Sequence, residues 1–157
     1  MFADKAIGPA KMLALLVPLL LLGGAYIGQY GFGLYPCEMC WWQRYPHFAA
    51  LVFALIALVQ RPGRVWVWLA GVAILISGLI GLYHAGVEYH WWQGLTDCTT
   101  NVAANAADPL DAVMNAPLIR CDVPQWTLFG VSLAGWNFLF STAGALAIFV
   151  MLRKGRL

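Results

Sequence analysis

Val65–Val87 reads VWVWLAGVAILISGLIGLYHAGV, an apolar run without a single Asp, Glu, Lys or Arg. About 20 such residues at 1.5 Å rise cross roughly 30 Å of hydrocarbon, and a helix satisfies its own backbone groups where no water can. Outward from it lie three more apolar runs, about 12–30, 41–60 and 128–152. The 157 residues are 62% hydrophobic and 10% charged, and the charges sit between the runs instead of along helix faces, which excludes an ordinary soluble domain. The chain is therefore expected to be an all-α membrane protein. It forms one domain over 1–157, a four-transmembrane-helix bundle with loops at about 31–40 and 88–127.

The second run is the weakest, because Pro46 stands near its start. Proline fits the first turn of a helix, so the helix proper is expected to begin near Tyr45, with Trp41 and Trp42 at headgroup level. The first run has a competing reading as a cleaved signal peptide, with Lys5 and Lys11 as basic flank and Gly23, Gly24 and Ala25 as small residues for cleavage. Four spans account better for the charges. They put Lys5, Lys11, Arg61, Arg64, Arg153, Lys154 and Arg156 on one side, and excess Lys and Arg marks the cytoplasmic face. Only Arg44 and Arg120 then face outward, together with all four cysteines, in a compartment where disulfides persist. In the long outer loop, Asp108-Pro109-Leu110-Asp111 predicts a short helix to about Asn115, and Pro124-Gln125-Trp126 an interfacial return to the membrane.

Cys37-Glu38-Met39-Cys40 has the C-x-x-C spacing of redox-active pairs. Zinc knuckles share that spacing, but Cys98 and Cys121 are 23 residues apart and form no second knuckle, so no metal is expected. A pair of structural disulfides bracing the loops remains a competing reading, and so does an electron carrier across the membrane, although the cytoplasmic side lacks the cysteines a carrier would need. Arg44 follows Cys40 by four residues, one helical turn along the same face, where a cation and the helix N-terminus favour thiolate. A snorkelling headgroup anchor is the plainer role for such an arginine. Tyr45 and His47, with Trp41 and Trp42, can wall a flat quinone ring, or can belong to the aromatic belt, the favoured role for the two tryptophans.

His84, Glu88, Tyr89 and His90 end the third run. His84 and Glu88 share a helix face and can carry protons, but solvation at a water interface is the favoured expectation. Gly24 with Gly28, and Ser77 with Gly81, are four apart and predict close helix packing.

Pro36-Cys37-Glu38-Met39-Cys40, Gln43-Arg44, the lone Cys98 and Cys121, Pro124-Gln125-Trp126, Phe129-Gly130-Val131-Ser132 and Trp136-Asn137 together resemble the DsbB family of disulfide-formation proteins over nearly the whole chain. The resemblance implies a thiol oxidase of the bacterial inner membrane, with both termini cytoplasmic. It implies as catalytic residues Cys37, Cys40, Cys98 and Cys121, with Cys40 and Arg44 beside the quinone; Tyr45 and His47 are the further quinone contacts expected from their place after the C-x-x-C motif. A periplasmic thioredoxin-fold oxidase of the DsbA type would attack the Cys98–Cys121 disulfide, Cys121 would exchange with Cys37, and Cys40 would pass electrons to a membrane quinone, ubiquinone or menaquinone. Each exchange is thiolate attack on a disulfide and needs no other cofactor.

Overall fold

The computed structural model describes residues 7–95 and 119–154. Helix α1 is Gly8–Gly31, α2 is Glu38–Val59, α3 is Gly63–Glu88, and α4 is Leu133–Lys154. All four are long and apolar enough to cross a membrane. A two-stranded antiparallel hairpin, β1 (Thr127–Leu128) and β2 (Val131–Ser132), precedes α4. The short helix expected over 108–115, like Cys98, lies outside the described residues.

The first helix begins at Gly8, four residues before the expected start, and two further starts differ from the sequence expectation, each for a local reason. α2 begins at Glu38 and continues through Pro46, because Cys37 in extended conformation acts as N-cap and its sulfur accepts the Cys40 N–H at 3.3 Å. Cys40 thus belongs to the first turn of α2 and not to the loop before it. α4 begins at Leu133, not near 128, because Phe129 (φ 52°) and Gly130 (φ 76°) turn the chain left-handed and close the hairpin. Tyr89 clamps that hairpin to the end of α3: its hydroxyl donates to the Gly130 carbonyl at 2.8 Å and accepts the Ser132 N–H at 2.9 Å.

Side-chain size is distributed in reverse of a soluble domain. The buried centre is rich in alanine, including Ala10, Ala14, Ala50, Ala54, Ala57, Ala70 and Ala145, while Leu20, Ile27, Leu55, Val59 and Leu146 are exposed. Lipid is as apolar as leucine, so helices gain by close backbone approach and turn their large side chains outward. α3 is the hub, packed most extensively on α2 and α4. Its glycines make that possible: a Cβ on Gly81 would stand 2.9 Å from the Ala134 carbonyl oxygen, and one on Gly71 2.9 Å from the Phe149 ring. Ser77 and Gly81 therefore serve the close packing expected of them. Gly24 and Gly28 of α1 do not: a Cβ on Gly24 would meet nothing within 4 Å, and one on Gly28 would meet only a Leu34 methyl at 3.5 Å. Their small size leaves space open.

Candidate functional site

That space is a cavity of about 610 Å³ bounded by α1, α2 and α4 and roofed by the segments around Tyr35 and Arg120. Leu20, Leu21, Ile27 and Phe140 give it apolar walls, and Cys40, Gln43, Arg44, His47 and Asn137 give it a polar side. Gln125 ties the roof together by donating to the Tyr35 carbonyl.

At the upper end of the cavity the Cys37 sulfur is 3.0 Å from the Cys40 sulfur and 3.6 Å from His84 Nε2. Cys37, His84 and Cys121 present ligand atoms that all lie within 4.8 Å of one another, and all three residues are buried. Hydrogen bonds with Cys121 and then Cys40, together with burial, push the Cys37 thiol above its ordinary range. Cys37 is thus the sulfur common to two possible partners.

Arg44 does not reach for headgroups. Only 6% exposed, it turns towards α1, donating to Gln29 Oε1 at 2.6 Å and to the Ala25 carbonyl at 3.3 Å. Its guanidinium is held between the Tyr26 and Trp41 rings, 4.9 Å from each centroid. Trp41 is therefore a partner of Arg44 and is absent from the cavity lining. Tyr45, expected beside a quinone, is 60% exposed and stacks on the outer side of Trp41. One residue beyond Arg44, it is turned about 100° round the helix and away from the cavity. His47, three residues beyond Arg44, returns to the cavity face.

His84 and Glu88 are buried beside the cysteines, contrary to the solvated placement expected for them, with His84 Nε2 3.8 Å from Glu88 Oε1. His90 is exposed at a left-handed turn (φ 58°) that ends the helix. Behind His84 runs a polar seam that the sequence hardly announces. Gln43 Nε2 reaches His84 Nδ1 at 2.8 Å, and Asn137 Nδ2 donates to Gln43 Oε1 at 2.8 Å. His47 Nε2 lies 3.0 Å from Asn137 Oδ1, and Ser141 Oγ donates to the same oxygen at 3.0 Å. The available signal was the rarity of amides in a span: a polar side chain in lipid must turn inward and find a partner.

The family model described as "Disulfide bond formation protein DsbB" matches residues 9–151. The chain belongs to the DsbB family. Its DsbB relatives include "Disulfide bond formation protein B" of Paracidovorax citrulli, 31% identical with 93% of this chain and 88% of the relative covered. Another, of the same description, is from Marinobacter nauticus, 29% identical with 85% of each chain covered. No solved structure matches. As a DsbB-family chain with four apolar spans, it is a multi-pass membrane protein of disulfide bond formation, an oxidoreductase by class.

Proposed function

We propose that this chain is a protein-dithiol:quinone oxidoreductase of the bacterial inner membrane, reoxidising a periplasmic thioredoxin-fold oxidase of the DsbA type. The observation that carries the reading is the position of Cys37, with one sulfur partner at 3.0 Å and a second, Cys121, in the cluster spanning 4.8 Å, above a membrane cavity.

In this reading a thiolate of the reduced partner attacks Cys98 of the Cys98–Cys121 disulfide, and Cys121 leaves as thiolate. Cys121 attacks Cys37 of the Cys37–Cys40 disulfide, and Cys40 leaves as thiolate at the cavity wall. The partner's second thiolate then closes its own disulfide and releases Cys98, which attacks Cys121 and frees Cys37. Every step forms one S–S bond as it breaks another. Over the cycle the partner gives up two electrons and two protons, which a quinone held by the cavity would accept from Cys37 and Cys40 as their disulfide re-forms.

The cavity suits such an acceptor. Its apolar walls match a ring with a lipid tail, the Arg44 cation can bind a carbonyl oxygen, and the buried His47 Nδ1 has no hydrogen-bond partner among the described residues. Seven of nine basic residues on one side support cytoplasmic termini and periplasmic cysteines.

The test uses purified protein in detergent with a reduced thioredoxin-fold dithiol protein and a soluble quinone analogue, following quinone absorbance in wild type and Cys40→Ser. Reduction by wild type alone is the expected result. No reduction by wild type, with the cysteines persisting as stable disulfides, returns the loop-bracing reading instead.

A further inference from the structure

The seam behind His84 specifies where that ring carries its proton. Two of its contacts go to backbone carbonyls, which only accept: Gln43 Nε2 donates to the Met39 carbonyl at 3.2 Å, and Asn137 Nδ2 to the Ser77 carbonyl at 3.2 Å. These contacts orient both amides. With its nitrogen turned to Ser77, Asn137 also donates to Gln43 Oε1, leaving Gln43 Nε2 to face His84 Nδ1 at 2.8 Å. An N–H at His84 Nδ1 would set donor against donor, so Nδ1 must be the bare acceptor and the neutral ring carries its proton on Nε2. On that side lie acceptors: the Cys37 sulfur at 3.6 Å and Glu88 Oε1 at 3.8 Å.

We infer that Gln43 is a positioning residue that holds His84 as its Nε2–H tautomer, so that the ring donates a hydrogen bond to the Cys37 sulfur when that sulfur departs as thiolate. The inference rests on the relay proposed above, in which Cys98 attacks Cys121 and the Cys37–Cys121 bond breaks with both electrons going to Cys37. A bare ring nitrogen would confront that charge with a lone pair; an N–H meets it with a donor. His84 thus acts on Cys37 as a hydrogen-bond donor and not as a base, and Gln43 acts through His84.

Gln43→Glu replaces the donor by an acceptor while leaving an oxygen for Asn137, so His84 Nδ1 acquires a proton. The experiment is ¹⁵N NMR of histidine-labelled protein in detergent, with only three histidines to distinguish and His84→Asn to identify the signal. Wild type is expected to show Nδ1 bare and Nε2 protonated, and Gln43→Glu to show Nδ1 protonated. Should Gln43→Glu not fold, Asn137→Asp makes the same demand one bond further back, since it forces the Gln43 amide to turn over. A protonated Nδ1 in wild type, or a bare one in both variants, overturns the assignment.

The donor role has its own readout. Reducing the Cys37–Cys40 disulfide chemically, without quinone or partner, should move the His84 Nε2–H proton resonance downfield as the sulfur becomes a better acceptor. An unmoved resonance removes Cys37 as its target. Failure of the relay itself would show differently, as absent Cys40-dependent quinone reduction with the tautomer and the downfield shift both as expected.

Discussion

Arg44 donates a 2.6 Å hydrogen bond to Gln29 Oε1, so the cation one turn beyond Cys40 is held by a neighbouring helix as well as by Trp41 of its own. Two aromatic faces complete the clamp. A hydrogen bond to a charged group is worth about 1.5–3 kcal/mol, so Arg44→His should raise the quinone KM by roughly 10- to 100-fold while exchange between partner and cysteines persists. Gln29→Leu, which keeps the charge but releases it, should show the same defect at a few-fold. Steady-state kinetics with varied quinone analogue checks both; an unaltered KM in Arg44→His would separate the guanidinium from the acceptor site.

The glycines of α1 and α3 should respond in opposite ways. Gly81→Ala drives a Cβ to 2.9 Å from a carbonyl oxygen of α4, an overpacking that costs about 1–3 kcal/mol and lowers the unfolding midpoint in detergent. Gly24→Leu has nothing within 4 Å of its Cβ, so stability should hold while the added side chain occupies the cavity and weakens quinone use. Thermal unfolding and quinone titration on the two variants give the crossed pattern.

Asn137→Leu removes the donor to Gln43 and the acceptor for His47 and Ser141 at once. Each buried group left unpaired costs about 1–3 kcal/mol. The variant should therefore unfold earlier than Asn137→Asp, which keeps an acceptor for His47 and Ser141. Comparing their thermal midpoints in the same detergent tests the ranking.

In the loop before the hairpin, Arg120 beside Asp122 holds that carboxyl down at about 2, from an ordinary value of 3.8. A depressed folded-state value means that the pair's contribution is complete above about pH 4 and fades as the pH falls towards 2. Both side chains are well exposed, so the contribution is small and screened by salt. Asp122→Asn should leave stability at pH 7 nearly unchanged and flatten its acid dependence between pH 4 and 2, measurable by circular dichroism.

The spans were legible because the membrane imposes one rule on every residue in them: an uninterrupted apolar run must be helical. Their ends were less so. Glu38 starts α2 because a cysteine sulfur caps it, and cysteine is no ordinary N-cap; Leu133 starts α4 because Phe129 adopts a left-handed turn that its side chain does not advertise. At the site, the spacing of Cys37, Cys40 and Arg44 could be read along one chain segment. The burial of His84 and Glu88 could not, since a helix end carries no mark of which face meets the bundle. Gln43 and Asn137 are partners across 94 residues of sequence, a pairing that only packed helices create.

Cys37 is at once the cap of α2 and, in the proposed relay, a sulfur that changes bonding partners. An oxygen cap would keep one set of lone pairs throughout, whereas in that relay this one would alternate between thiol, thiolate and disulfide. The first turn of α2 would then register the oxidation state of the protein, its hydrogen-bonded beginning tightening or loosening with each electron pair. Amide exchange at Cys40 would be a direct gauge of turnover.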